Sequence, residues 1–147
     1  MAMAERTANC AWDGDLPHGS GKVSGASGAL GELPVTWASR TERSDGKTSP
    51  EELIAAAHAT CFSMALASGL AQAGHAPTKL ETDAQVTLDN ADGGFGITAI
   101  HLTVHGEVDG LDEAGFQQAA QEAKQNCPVS KALAAVPEIT LEASLSP

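Results

Sequence analysis

Tyrosine is absent from this 147-residue sequence, and the aromatic residues amount to two Trp and three Phe. A core built from such a chain leans on Leu, Ile, Val and Ala. Basic residues are also scarce: eight Lys and Arg stand against 19 Asp and Glu, a formal net charge of −11 with pI near 4.6. Phosphate backbones and anionic lipid surfaces repel such a chain, so no nucleic acid and no membrane partner is expected. The cysteines are three, Cys10, Cys61 and Cys127, and none belongs to a C-x-x-C pair. That odd, sparse set argues against a disulfide framework or a thiolate zinc site and for a reducing, cytoplasmic compartment. MAMAERTANCAWDGD at the N-terminus has no apolar run, so no secretory leader is expected. Gly-rich phosphate loops, Ser-His-Asp patterns, zinc spacings and internal repeats are missing too. The length suits one domain over residues 1–147.

What stands out is another lack. Between Glu52 and Lys79 there is no Asp, Glu, Lys or Arg. This stretch lies in residues 49–74, SPEELIAAAHATCFSMALASGLAQAG, which read as one long helix. Ser49 is a good N-cap, Pro50 suits the first helical position, and Glu52 completes a capping box. Gly74 is a natural stop in left-handed geometry. The helix over residues 50–73 spans roughly 36 Å. Leu53, Ile54, Phe62, Met64, Leu66 and Leu70 are scattered around its circumference, with mostly Ala, Ser, Gly and Thr between them. A helix apolar all round is expected to be buried all round, wrapped by sheet or by a second subunit. A membrane span fits poorly: Ser63, Ser68, His58 and Gln72 interrupt the run, and basic flanks are lacking.

Strands are expected over residues 7–13, 22–27 and 33–39, the last because VTWAS alternates small and large side chains. Residues 40–48 read as a charged loop entering the helix. After Gly74, residues 80–88 and 97–108 alternate around the turn signal NADGG and predict an antiparallel hairpin. Asp112 caps a helix over residues 113–125, Pro128 restarts a short helical turn to about residue 134, and residues 138–145 close the chain as a strand. The order βββ-α-ββ-αα-β makes an α+β protein with mainly antiparallel sheet.

Cys61, in the middle of the long helix, is either small apolar filler or a thiolate, and a thiolate there needs a cation, because a helix dipole acts only near the first turn. His58 lies three residues before it on the same helix face, as a partner or as a polar group lining a pocket. Cys127 sits at the break before Pro128, where the N–H groups of the short turn favour a thiolate or where the residue is only a cap. Cys10 falls near the terminus on an edge strand and reads as incidental. Arg40 and Arg43 precede the long helix. The capping box explains Glu52 but leaves Glu51 without a local need beyond a favourable first-turn charge. His101 and His105 share a strand face roughly 13 Å apart, too far to share a metal.

SPEELIAAAHATCFSMAL followed some 65 residues later by NCPVSKAL, together with AWDGD and ADGGFGIT, resembles the OsmC/Ohr family of thiol peroxidases, proteins of osmotic stress and of organic hydroperoxide resistance. The resemblance runs through nearly the whole chain. It implies an intertwined homodimer with two central helices inside and active sites at the subunit interface. It implies an antioxidant oxidoreductase that reduces organic hydroperoxides, and hydrogen peroxide less efficiently, by a two-cysteine mechanism. By this resemblance Cys61 is the peroxidatic cysteine, Cys127 the resolving one, and Glu51 the carboxylate that orients an active-site arginine. Residues 14–21, where the Ohr branch carries that arginine, have none, so the role points to Arg40, with Arg43 as fallback. His58 fits the OsmC branch as well.

The implied chemistry begins with the Cys61 thiolate attacking the peroxide, with Arg40 holding the thiolate and Cys127 closing a redox-active disulfide that a dithiol, plausibly a lipoyl protein, resets. No flavin, haem or metal is required. Phe62, Met64 and His58 are expected to line an apolar substrate pocket. Glu51 and Cys61 are ten residues apart, roughly 15 Å along the helix and about 80° around it, so they do not meet within one straight helix. The expectation is a composite site in which the partner subunit supplies Glu51. The rival readings are a non-catalytic thiol redox sensor or binding protein, a Cys61–His58 hydrolase, and a purely structural dimer.

Overall fold

The computed structural model describes residues 1–146; the final position of the expected domain 1–147 lies outside the described residues. The chain forms two compact units, Met1–Leu53 and Ile54–Pro147.

In the first unit, β1 (Ala8–Asp13), β2 (Ser20–Gly25) and β3 (Leu33–Val35) form an antiparallel sheet in that order. Gly21, on the central strand, is flanked by Trp12 and Val35, and a Cβ there would come within 2.7 Å of the Trp12 ring and 2.9 Å of Val35. Glycine is what leaves room there for the indole and the valine. The third strand is shorter than the alternation of VTWAS predicts. At Thr36 the chain turns into a short helix, α1 (Trp37–Thr41). Thr36 and Ser39 form a reciprocal capping box, and the Ser39 hydroxyl also donates to the Thr48 carbonyl at 2.8 Å. Arg40 therefore sits on a helix, not in a charged loop.

The long helix, α2 (Pro50–Gln72), begins in the first unit and continues in the second. The Ser49 hydroxyl accepts from the Glu52 N–H at 3.1 Å, as predicted. The other half of the box is different: the Glu52 carboxylate accepts from the Thr48 hydroxyl at 2.6 Å. At the far end Gly74 has φ +87°, and the His75 N–H reaches back to the Leu70 carbonyl at 2.8 Å, a Schellman stop.

In the second unit β4 (Lys79–Ala91) and β5 (Gly94–Glu107) form the antiparallel hairpin, turning at Asp92 and Gly93, both at positive φ. Then come α3 (Glu113–Asn126), α4 (Pro128–Ala132) and β6 (Glu138–Leu145). β6 pairs with β5 in parallel, Ile100 opposite Ile139 and Leu102 opposite Leu141, so the sheet is mixed and three of the four strand pairings in the fold are antiparallel. A parallel pair needs a crossover, and α3 and α4 supply it.

The core of this unit joins Phe62, Leu66 and Leu70 of α2, Ile100, Leu102 and Val104 of β5, Phe116, Ala120 and Ala123 of α3, and Cys127. Each large apolar side chain buried there contributes about 1.5–3 kcal/mol. The α2 residues that are fully enclosed, His58, Phe62, Leu66 and Leu70, recur every four positions and form one ridge. Burial all round is not met within one chain: Ala56, Ala57, Thr60, Met64, Ser68 and Gln72 are exposed. Among the described residues α2 is the one helix long and apolar enough to cross a membrane, and here its buried ridge is a core element of a mixed α/β layer.

Candidate active site

Arg40 and Glu51 belong to the first unit and meet there. Capping by Thr36 places Arg40 in the last turn of α1, and Glu51 stands in the first turn of α2. The Arg40 Nε donates to Glu51 Oε1 at 3.0 Å and to Oε2 at 3.3 Å, and Nη2 donates to Oε2 at 2.9 Å. This is a forked pair with the carboxylate nearly enclosed, 7% exposed. The Glu51 carboxylate thus has a partner that first-turn placement alone does not reveal. The guanidinium also lies 5.9 Å from the Trp37 ring centroid. Arg43 is exposed and makes no ion pair among the described residues.

Beside Arg40 the first unit holds a cavity of about 400 Å³, walled largely by Trp12, Leu16, Val23, Val35, Trp37 and Leu53, with Cys10 on the exposed edge strand β1 at its margin. An apolar hollow with one cation in its wall suits a small organic molecule with a polar end. Sequence reasoning missed these lining residues. The signal was present, since both tryptophans of the chain are among them.

Cys61 and Cys127 belong to the second unit. Helix α3 ends as Pro128 removes the next N–H, and Cys127 becomes both the C-cap of α3 and the N-cap of α4. That places its side chain, fully buried, against half-buried Cys61 of α2. Both thiols are free and belong to one packed cluster, close enough for each to act on the other's ionisation. Burial pushes the Cys61 thiol up, and the neighbouring Cys127 adds to that, against a smaller opposing contribution from the Val129 N–H. Burial alone would raise Cys127 as well. The Cys61 thiol, the N–H and hydroxyl of Ser130, and the Val129 N–H overcome it, so Cys127 is lowered. Within the second unit the surroundings therefore favour ionisation of Cys127 over that of Cys61.

His58 does not engage Cys61. Its Nε2 lies 2.7 Å from the Ser130 hydroxyl oxygen, and burial holds its ring below the usual histidine range. It is fully enclosed, and its Nδ1 has no hydrogen-bond partner among the described residues. Ser130, in the CPVS segment, is a site residue the sequence reading passed over. Phe62 is fully buried in the core cluster and Met64 is 69% exposed. Neither belongs to the cavity beside Arg40. On β5, His101 and His105 each lie beside a β6 hydroxyl, Thr140 at 2.6 Å and Ser144 at 2.7 Å. No cluster of metal-ligating side chains occurs among the described residues.

Residues 43–142 match the family described as OsmC-like protein. The chain belongs to that family. It is 48% identical to peroxiredoxin OsmC of Escherichia coli (strain K12) over 134 residues, covering 91% of this chain and 92% of that protein. It is 33% identical to organic hydroperoxide resistance protein OhrA of Bacillus subtilis (strain 168) over 105 residues, 70% of this chain and 72% of that protein. The crystal structure of the organic hydroperoxide resistance protein OhrB of Bacillus subtilis superposes with a TM-score of 0.72 at 27% identity, covering 95% of this chain and 98% of that one. The α+β fold with a long central helix is the OsmC/Ohr fold.

Proposed function

We propose that this protein is a cysteine-based peroxidase that reduces organic hydroperoxides to alcohols in oxidative-stress defence. The observation that carries the reading is the contact between the free thiols of Cys61 and Cys127, 66 positions apart in sequence, in a chain whose relatives bear the names peroxiredoxin and organic hydroperoxide resistance protein.

In the proposed reaction the Cys61 thiolate attacks one peroxide oxygen. An S–O bond forms, the O–O bond breaks, and the alkoxide leaves and takes a proton to become the alcohol. Cys127 then attacks the Cys61 sulfenic acid; the S–S bond forms and water leaves. An external dithiol, for which a lipoyl protein is suited, returns both thiols. Arg40, held by the Glu51 fork, supplies the cation that draws negative charge onto Cys61 and stabilises the departing alkoxide. The apolar cavity beside Arg40 takes the organic group, which favours alkyl hydroperoxides over hydrogen peroxide because only they gain from burying apolar surface.

The reading includes a homodimer. The exposed, uncharged side of α2 bears Ala56, Ala57, Thr60 and Met64, and small residues let a second helix approach closely. Two copies of α2 related by a two-fold bring Glu51 and Arg40 of one chain to Cys61 of the other. The ten-residue spacing of Glu51 and Cys61 on one helix supports this arrangement.

The test is to treat the reduced protein with one equivalent of cumene hydroperoxide and map its cysteines by mass spectrometry. A Cys61–Cys127 disulfide with Cys10 free is the expected product, with higher kcat/KM for cumene hydroperoxide than for hydrogen peroxide. Two untouched thiols would overturn the reading. Oxidation without multiple turnover, a dithiol being present, would make the protein a thiol sensor instead.

A further inference from the structure

The peroxidase reading leaves one buried group without work. His58 is fully enclosed, lies a turn before Cys61, and spends its one hydrogen bond on Ser130. Ser130 is the third residue of α4, and Cys127 is that helix's N-cap. An N-cap side chain and the third helical residue face each other across the first turn. Here both are buried, Cys127 at 0% and Ser130 at 8% exposure. The Ser130 hydroxyl thus stands between the two: it lies 2.7 Å from His58 Nε2 and is among the groups that act on the Cys127 sulfur.

A serine hydroxyl has one proton to give. If it goes to His58, the Cys127 sulfur receives none. The orphan ring nitrogen decides between the two. His58 Nδ1 is buried without a partner among the described residues. Were the ring proton on Nδ1, a buried N–H donor would be left unsatisfied, which folded proteins avoid more strictly than an unused acceptor. The neutral ring therefore keeps its proton on Nε2, which donates to Ser130 Oγ. The serine proton is then free to turn to sulfur.

We propose that His58 is a positioning residue for the resolving cysteine: its Nε2–H fixes the Ser130 hydroxyl so that the serine proton points at the Cys127 sulfur and holds it as a thiolate, ready to attack a sulfenic acid on Cys61. In the step it serves, the Cys127 thiolate forms the S–S bond, and hydroxide leaves Cys61 and is protonated to water. Within the second unit the groups acting on the Cys127 sulfur are the Cys61 thiol of α2 and, from α4, the Ser130 hydroxyl and the N–H groups of Val129 and Ser130. His58 is the titratable group behind that hydroxyl. The role in resolution rests on the peroxidase reading; the hydrogen-bond relay itself does not.

The test follows this separation. In full-length protein carrying Cys10→Ser and Cys61→Ser, Cys127 is the one thiol, and its thiolate is read by ultraviolet absorbance as a function of pH. His58→Leu and Ser130→Ala are each expected to raise the titration midpoint by about one pH unit, a tenfold loss of thiolate below the midpoint. His58→Gln, whose amide nitrogen reaches the same place as Nε2, is expected to restore it. Imidazole nitrogen NMR shifts of the wild-type protein are expected to report the Nε2–H tautomer. Unchanged midpoints in Ser130→Ala, or an Nδ1–H tautomer, would overturn the proposal even if His58→Leu failed to fold. None of these readouts uses peroxide. A protein that forms no sulfenic acid on Cys61 would sink the peroxidase reading while leaving this measurement intact.

Discussion

Arg40 grips Glu51 with two nitrogens, Nε and Nη2, each within 3.0 Å of a different carboxylate oxygen. The pair joins a five-residue helix to the first turn of a 23-residue one. A lysine keeps the charge at this position but has no fork. Arg40→Lys is therefore expected to lower kcat/KM for cumene hydroperoxide by about a hundredfold, the scale of losing one aimed donor to a developing negative charge. Activity near that of the wild type would show that charge alone suffices or that another cation serves. Arg43→Lys, at an exposed position, serves as the control and is expected to change little.

His58 makes stability depend on pH. Burial depresses its pKa from 6.5, so the unfolded chain takes up a proton at a pH where the folded chain does not. The stability due to the neutral ring is fully present above the unfolded value and is lost as pH falls below it. Denaturant midpoints of the reduced protein are expected to hold steady above pH 6.5 and to decline below it. His58→Gln, which cannot be protonated, is expected to flatten that part of the decline. The same slope in both proteins would contradict the assignment.

Gly106 tests the packing of the second unit. Its α-carbon lies under the Phe116 ring, and a Cβ there would fall 2.6 Å from two ring carbons. The ring is fully buried and has nowhere to retreat. Gly106→Ala is expected to cost about 1–3 kcal/mol of stability through overpacking, read as a lowered denaturation midpoint. Gly46, where an added Cβ meets nothing but φ is +78°, separates backbone strain from crowding.

The exposed side of α2 predicts an association state. Met64→Asp puts a charge on an apolar surface without touching the core, since Met64 is 69% exposed. Sedimentation is expected to show a dimer for the native sequence and a shift toward monomer for the variant. A native monomer would remove the second copy from the proposed site.

Cys127→Ser is expected to leave the first oxidation of Cys61 in place and to halt the cycle there. Without a resolving thiol the sulfenic acid proceeds to sulfinic acid, a gain of one more oxygen on Cys61 detectable by intact mass. Unaltered turnover in that variant would mean that an outside thiol resolves Cys61.

Much of this fold was legible because its signals are local. Ser49, Pro50 and Gly74 mark both ends of α2, the Asp-Gly turn marks the hairpin, and Pro128 marks the break at Cys127. The strand predicted through VTWAS failed where two local signals competed: alternation favours a strand, but Thr36 and Ser39 cap each other and start α1. The family motifs pointed to Arg40 and Glu51, and the fork between them follows from that short helix. His58 and Ser130 are 72 positions apart, and only the packing of α4 against α2 brings them together. No spacing rule finds such a pair. Met64 lies outside the cavity beside Arg40 and is exposed in the single chain; hydrophobicity says that a side chain leaves water, not which surface covers it.

The parallel pairing of β5 with β6 also orders the assembly of the molecule. The β4–β5 hairpin closes through two residues and is a fast, local event. β6 must cross thirty residues, 108–137, before it finds its place beside β5, and loop closure of that length is slower and more costly. Cys127 lies inside that crossover. A folding chain is thus expected to form its hairpin while Cys61 and Cys127 are still apart, the two sulfurs meeting as α3 and α4 dock. The thiol pair is therefore expected to come together late in folding, and a pulse of oxidant early in refolding is expected to leave Cys61 and Cys127 unjoined.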